Sequence, residues 1–301
     1  MFAHFDLPLL FALCSNIAFA TGSLLFTHFT KRTSSQWMNF YKAGIATIGF
    51  TLVISLLQLW PQLTLLSNSS RLQLMISGTM GLAIGDIFLL KAFAQLGSGR
   101  VLMLFGFQPF ILGLFSYLLF NQEFPLYRLF AVILLLGCLF SFALESFRTK
   151  GHWDQQGFVY AFIGIFLDAA GILLTRNVFD HTTGLSPFVA NWLRALTATV
   201  FFIILAQIPK FHFHILKTFK DLSAKEKSLA TVAGFLGTFL SLSFYLFAVQ
   251  MGHLATISAI AGTSPLFATL IETIFGRKKV TKYLVAGIFF FISGLVVLIL
   301  N

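Results

Sequence analysis

The chain has 301 residues, of which 57% are hydrophobic and 10% charged, and its formal net charge is +10. Its mean hydropathy is +0.89. Soluble domains carry about a quarter charged residues, so this composition excludes a water-soluble domain with a polar surface. The basic residues lie mostly in short connections between apolar runs, which is typical of a membrane orientation signal and not of a nucleic-acid surface.

Ten apolar runs are long enough to cross about 30 Å of hydrocarbon. Their approximate spans are 7–29, 35–59, 72–95, 101–120, 126–146, 157–179, 187–208, 228–250, 254–275 and 281–300. The two longest connections, 147–156 and 209–227, are too short to form a soluble domain. The sequence therefore predicts an all-α integral membrane protein of ten transmembrane helices.

A short motif recurs in the two halves of the chain. Asn39-Phe40-Tyr41-Lys42 near the start of the second run returns as Asn191-Trp192-Leu193-Arg194 near the start of the seventh. In each copy an amide and a cation are three residues apart, so they share one helix face. This repetition predicts two homologous five-helix halves, residues 1–146 and 157–301, joined by a linker at 147–156.

The distribution of basic residues predicts the orientation in the membrane. The connections after odd-numbered runs contain Lys31, Arg32, Arg100, Arg148, Lys150, Lys210, Lys217, Lys220, Lys225, Lys227, Arg277, Lys278, Lys279 and Lys282. Those after even-numbered runs contain Arg71, Arg128 and Arg176. The odd connections are therefore expected in the cytoplasm and both termini outside. With five helices per half, the second half is inverted relative to the first, as in many secondary transporters.

A longer pattern carries a family resemblance. It runs through Ala92-Phe93-Ala94-Gln95-Leu96-Gly97, Pro109, Asn121-Gln122-Glu123 and Gly137, and again through Ala248, Gly252, Pro265, Gly276 and Gly294. In this order the chain resembles the drug/metabolite transporter superfamily, specifically ten-helix bacterial members with two EamA-type domains. The second copy departs from the pattern, because Arg277-Lys278-Lys279 stands where the acidic residue is expected.

The resemblance implies a carrier of the cell inner membrane that moves a small metabolite by alternating access, with its cavity between the two halves. It implies no cofactor and no nucleic-acid partner. The expected partners are a small-molecule substrate and membrane lipids. Coupling to protons, the direction of transport, and the choice between a monomer and a homodimer stay open.

Polar groups inside the runs indicate where the cavity lies, since burying them in lipid costs several kcal/mol. The expected substrate-binding residues are Lys42, Arg194, Asn39, Asn191, Asn16, Gln108 and Tyr245, with Ser241 as a further cavity residue. Lys42 and Arg194 are the central pair, expected to hold an anionic group from equivalent positions. The alternative is structural: each cation reaches the headgroups or neutralises a nearby Asp.

Asp86, Asp168 and Lys91 are assigned to coupling or to ion pairs. A desolvated Asp is a candidate proton carrier, whereas an Asp paired with Lys42, Lys91 or Arg194 is not. Pro109 and Pro265 each remove a backbone donor inside a run, which predicts helix breaks used either in gating or in static packing.

Both charge signs recur among these residues, which favours amino acids or similar charged metabolites as substrates. Phosphorylated metabolites or nucleotides are the alternative, because they require several cations without matching acids. The sequence contains no nucleotide-binding loop, catalytic triad spacing or paired metal-ligand motif. An integral-membrane enzyme acting on lipid-linked substrates and a membrane scaffold are the other classes considered.

Overall fold

A computed structural model describes residues 7–30, 33–96, 101, 104–123, 125–150, 155–208, 213–275 and 279–300. In these ranges nine helices are long and apolar enough to cross a membrane, and one apolar helix is shorter. The ten are α1 Leu7–Thr30, α2 Ser35–Leu56, α3 Asn68–Leu96, α4 Phe105–Phe120, α5 Leu126–Lys150, α6 Gln155–His181, α7 Pro187–Ala206, α8 Ala224–Met251, α9 Leu254–Ile274 and α10 Lys282–Leu300. A 3-10 helix, Trp60–Leu65, precedes α3, and a short helix, Ile215–Asp221, precedes α8.

These helices confirm the all-α membrane fold that the sequence predicts. The predicted linker at 147–156 overlaps the ends of two helices, because α5 continues to Lys150 and α6 begins at Gln155. The apolar run ends near 146, but helical hydrogen bonding continues through the polar residues that follow it. Eight residues named in the sequence analysis lie outside the described residues. Six belong to the connections, Lys31, Arg32, Arg100, Lys210, Arg277 and Lys278, and two to the family pattern, Gly97 and Gly276.

Serine residues define the starts of four helical segments. The side-chain oxygens of Ser34, Ser67, Ser186 and Ser223 each accept a hydrogen bond from a backbone N–H in the first turn. At Ser223 the contact is reciprocal, since Glu226 accepts from the Ser223 backbone N–H. Such caps satisfy donors that the first turn leaves without a helical partner.

Helices α3 and α8 share an unusual internal plan. In α3 an α-helical segment gives way to π-helix at Gly78–Gly85, and in α8 the change occurs at Phe235–Leu240. In both helices an α-helical segment of 11 residues follows, Asp86–Leu96 and Ser241–Met251. Short π-helical turns are rare and are frequently found at functional sites.

Helices α4 and α9 are irregular where the sequence has proline. Helix α4 begins as a 3-10 turn at Phe105–Phe107, and its α-helical part starts at Gln108. Helix α9 is interrupted at Thr263, and its second segment starts at Ser264. Pro109 and Pro265 therefore occupy the second position of a helical segment, where a missing N–H costs least.

The helices of the two halves make equivalent contacts. Helix α1 packs against α8 and α9, and its counterpart α6 packs against α3 and α4. Helix α2 contacts α8 as α7 contacts α3, while α2 with α7, α4 with α9 and α5 with α10 pair each helix with its own counterpart. This reciprocity is the packing expected of two related halves.

Small residues allow the closest of these approaches. A methyl group on Gly171 of α6 would lie 3.0 Å from the Ser77 carbonyl oxygen of α3. In the corresponding contact, a methyl group on Gly22 of α1 would collide with the Gly237 backbone of α8. Glycine at such points lets helix backbones approach in a bilayer, where association depends on close packing.

Candidate functional site

A cavity of about 160 Å³ lies between the halves and is lined by residues of α1, α2, α3, α4, α6, α8 and α9. Much of its wall is apolar: Phe19, Phe26, Leu82, Leu89, Leu90, Phe93, Phe105 and Leu242. Its polar side chains are Ser15, Asn16, Ser23, Lys42, Asp86, Gln108, Asp168, Thr238, Ser241, Tyr245 and Ser264. The cavity thus combines a hydrophobic surface with a small group of charges.

Lys42 and Asp86 form an ion pair at this cavity. The Lys42 Nζ atom lies 2.5 Å from a carboxylate oxygen of Asp86, and the two side chains are 12% and 18% exposed. The ammonium also lies 5.6 Å from the ring centroid of Phe26. Removing one partner of a buried pair leaves an uncompensated charge, which typically costs about 3–5 kcal/mol. The pair joins α2 to the segment that follows the π-helical turn of α3.

Asp168 of α6 is held by an amide. Its Oδ2 atom accepts a hydrogen bond of 2.6 Å from Gln108 Nε2, and Gln108 Oε1 accepts one of 3.2 Å from Ser258. No described cation lies within ion-pair distance of Asp168. Asp168 is thus a cavity carboxylate whose direct partner is neutral.

Gly81 leaves space for Asp168 and Arg194 to approach each other. A methyl group at Gly81 would lie 3.3 Å from Asp168 Oδ1 and 3.8 Å from Arg194 Nη2. The guanidinium therefore balances the charge of Asp168 at short range without forming an ion pair with it. The two groups stand in a part of the protein where electrostatic interactions are weakly screened.

Arg194, which the sequence predicts to meet the substrate beside Lys42, does not line the cavity in this conformation. Its side chain is 1% exposed, and its Nε–H donates to Ser77 Oγ at 2.9 Å. Its Nη1 also approaches Asn191 Oδ1 at 3.4 Å. The cause is the close packing of α7 on α3, where a methyl group on Gly78 would collide with the Arg194 backbone. The guanidinium is thus enclosed behind the cavity wall.

The two equivalent asparagines also differ from the expected arrangement. Neither lines the cavity. Asn191 Nδ2 donates to the Leu242 carbonyl at 2.8 Å, which ties α7 to α8. Asn39 is fully buried, and neither polar atom of its side chain has a hydrogen-bond partner among the described residues.

Lys91 lies outside the cavity as well. It is exposed, and its Nζ atom lies over the rings of Phe88 and Tyr160, at 5.9 and 5.6 Å from their centroids. It pairs with neither Asp86 nor Asp168 in this conformation, and its role in coupling stays a prediction. A cation on an aromatic surface of this kind is stabilised without any carboxylate.

Asn16 of α1 binds the break in α9. Its Nδ2 donates to the Ile260 carbonyl and to Thr263 Oγ1, both at 2.7 Å, and its Oδ1 accepts a hydrogen bond of 2.5 Å from Ser264. Across the cavity, Asp168 of α6 binds Gln108 at the start of the α-helical part of α4. Each irregular helix is therefore held by a polar residue from the first helix of the opposite half.

Thr238 is a cavity residue that sequence reasoning missed. It lies in the π-helical turn of α8 with a side chain 6% exposed. Its neighbours Gly234 and Gly237 indicate close packing but do not distinguish its hydroxyl from the many others in the chain. The change from α- to π-helix, which brings it to the wall, has no clear sequence signature.

A second cluster holds two loops together at one end of the protein. His253 Nε2 lies 3.1 Å from the Glu123 carbonyl oxygen, and the Leu254 N–H donates to Gln122 Oε1 at 3.2 Å. Burial, and then the positive charges of Arg128 and Arg176, lower the pKa of His253 to about 4. The imidazole is therefore neutral at pH 7 and donates its Nε2–H to the carbonyl.

Known proteins show the same fold and overall sequence pattern. The chain is 24% identical over 296 residues to a protein named "Uncharacterized transporter" from Archaeoglobus fulgidus, covering 98% of each chain. A crystal structure aligns with a TM-score of 0.76 and 12% identity over 97% of this chain and 96% of that one, which shows the fold alone. The pattern of the EamA-like transporter family matches residues 6–143 and again 155–300. The chain is a multi-pass membrane transporter and belongs to the EamA-like transporter family.

Proposed function

We propose that this transporter carries amino acids, or similar small metabolites bearing an ammonium and a carboxylate, across the cell inner membrane by alternating access. The observation that supports this substrate class is the cavity itself. Its described lining contains one cation, Lys42, and two carboxylates, Asp86 and Asp168, beside an extended apolar wall.

A zwitterion matches this arrangement of charges. The substrate carboxylate approaches Lys42 and competes with Asp86 for its ammonium. The substrate ammonium approaches Asp168, whose present partner is the neutral amide of Gln108. Because opposite charges attract strongly where water is scarce, the substrate recovers much of the hydration that it loses on entry. The phenyl and leucyl groups of the wall receive its apolar part.

The packing of the halves supports the alternating-access mechanism. Both halves supply cavity residues, and each half holds the irregular helix of the other through Asn16 or Asp168. The reciprocal helix contacts and the two family matches support domain boundaries near 1–146 and 157–301. Rocking of one half against the other, with substrate bound between them, is how inverted-repeat carriers expose one site alternately to each side.

Phosphorylated metabolites and nucleotides are the competing substrates. Their phosphates carry up to two negative charges and are bound by clusters of Arg and Lys. The described cavity lining contains Lys42 as its single cation and two carboxylates. Its charges therefore favour a zwitterion over a polyanion.

Uptake into proteoliposomes tests the proposal. Purified protein is reconstituted, and entry of radiolabelled amino acids is compared with entry of sugar phosphates and nucleotides. We expect uptake of amino acids, strongly reduced in Lys42→Ala and unchanged in Lys91→Ala. The second variant removes a lysine that lies on the outer surface of α3, and so controls for loss of charge alone.

Two results would contradict the proposal. Uptake of phosphorylated compounds in preference to amino acids would exclude the substrate class. Equal uptake by parental protein and Lys42→Ala would exclude Lys42 from substrate binding. Size-exclusion chromatography of both variants in detergent checks that the substitutions leave the protein folded.

A further inference from the structure

The π-helical turn of α8 contributes to the cavity wall a threonine whose hydroxyl has no use inside the described protein. Elsewhere in this helix, hydroxyls donate to the carbonyl four residues earlier, as in Ser243 to Phe239 at 2.7 Å and Thr231 to Lys227 at 2.9 Å. Thr238 lies within the turn, Phe235–Leu240, and its hydroxyl has no hydrogen-bond partner among the described residues.

Thr238 belongs to the cavity wall, and its hydroxyl oxygen is buried there. The side chain is 6% exposed and belongs to the cavity lining. A buried hydroxyl without a partner is unfavourable, because folding has removed the water that it would otherwise bind. A ligand in the cavity that brought an acceptor to this hydroxyl would relieve the cost. Among the described residues that line the cavity, Thr238 is the one with such a hydroxyl.

Thr238 and Lys42 lie on the same side of the cavity, with Phe26 between their helices. The Phe26 ring lies beneath the Lys42 ammonium at 5.6 Å. The edge of the same ring packs on Gly237, where a methyl group would lie 2.7 Å from Phe26 Cε2. Thr238 is the next residue in the chain, and both it and Lys42 line the cavity.

We propose that Thr238 donates a hydrogen bond to the carboxylate of the amino acid substrate while Lys42 supplies the positive charge. This inference rests on the proposed function. A carboxylate is an acceptor only and takes several donors at once, so an ammonium and a hydroxyl bind it together. Thr238 would then distinguish amino acids from amines of the same shape that lack the carboxylate.

Isothermal titration of purified protein with two probes tests this role. The probes are L-leucine, chosen for the apolar wall, and 3-methylbutylamine, which is leucine without its carboxylate. Thr238→Val keeps the shape and removes the hydroxyl, and we expect its Kd for leucine to rise about tenfold or more. Its Kd for 3-methylbutylamine should equal that of the parental protein. Thr238→Ser should retain leucine binding within about threefold, because the donor is restored.

Thr256→Val is the matched control. Thr256 is also buried, 4% exposed, with a hydroxyl that has no partner among the described residues, but it does not line the cavity. Its substitution should leave both Kd values unchanged. A change in leucine binding equal to that of Thr238→Val would show that the effect is structural and would overturn the proposal.

The remaining outcomes separate this inference from the proposed function. Parental affinity for leucine in Thr238→Val would exclude Thr238 and leave amino acid transport intact. Equal loss of leucine and amine binding would exclude recognition of the carboxylate. Failure of the parental protein to bind leucine would overturn both this inference and the amino acid assignment on which it rests.

Discussion

Lys42 and Arg194 occupy equivalent positions on α2 and α7, yet their side chains have different direct partners. Lys42 pairs with Asp86 of the same half and meets the cavity. Arg194 donates to Ser77 of the opposite half, beside the π-helical turn of α3. The ion pair of Lys42 therefore lies at the cavity, whereas the guanidinium of Arg194 is fixed in the contact between α7 and α3. Its planar donors suit that structural task.

Asn39 and Asn191 provide a test of buried polarity at the residue scale. Asn39→Leu removes two polar atoms that have no partner among the described residues, so we expect an unchanged or higher melting temperature. Asn191→Leu removes the hydrogen bond to the Leu242 carbonyl. We expect the free energy of unfolding to fall by about 1–3 kcal/mol, and the melting temperature to fall with it. Thermal unfolding of both variants in the same detergent makes the comparison. Equal destabilisation by the two substitutions would show that the Asn39 amide is hydrogen-bonded in the folded protein.

At the scale of elements, interruptions of regular helix place polar groups at the cavity. The breaks in α4 and α9 present Gln108 and Ser264, and the π-helical turns in α3 and α8 precede Asp86 and contain Thr238. The prolines reveal the first two in the sequence, because proline cannot continue a hydrogen-bond ladder. The π-helical turns leave no such mark in the sequence. Their backbone dihedral angles are close to those of an α-helix, so they require no particular residue type.

The contact between the loops α4–α5 and α8–α9 should weaken in acid. The pKa of His253 is lowered from 6.5 to about 4, so the folded loops favour the neutral ring. In the unfolded chain His253 binds a proton near pH 6.5, a higher pH than in the folded protein. The contribution of the neutral His253 ring to stability is therefore complete above about pH 6.5 and is lost as the pH falls towards 4. We expect the melting temperature to fall over this interval, and to fall less in His253→Gln, whose amide donates to Glu123 without titrating. Identical pH profiles for the two proteins would contradict this role.

At the scale of the whole molecule, the apolar runs located all ten helices because hydrocarbon demands long, continuous apolar segments. The repeated motif likewise indicated related halves, and the helices make reciprocal contacts. The sequence did not reveal which side chains face the cavity. Lipid-facing and core-facing surfaces are both apolar here, so helical periodicity does not distinguish the position of Lys42 from that of Lys91. That distinction depends on helix rotation, which packing between distant segments sets.

The orientation of the whole molecule is the last prediction. An even number of membrane crossings puts both termini on one side, and the lysines from the end of α7 to the first turn of α8 indicate that this side is not the cytoplasm. Lys217 and Lys220 lie on the short helix Ile215–Asp221, and Lys225 and Lys227 lie in the first turn of α8. The connections on the opposite face carry few basic residues. Retention of Lys and Arg in the cytoplasm during insertion fixes such an arrangement.

Green fluorescent protein reports this orientation, because it fluoresces in the cytoplasm but only poorly after export from it. A fusion after Asp221 should fluoresce, because its fusion point lies in the lysine-rich connection, and a fusion after Asn301 should be dark. Alkaline phosphatase, active only outside the cytoplasm, should give the reverse result at the same two positions. Fluorescence after Asn301 together with phosphatase activity after Asp221 would show that the molecule inserts the other way, with its lysine-rich connections outside.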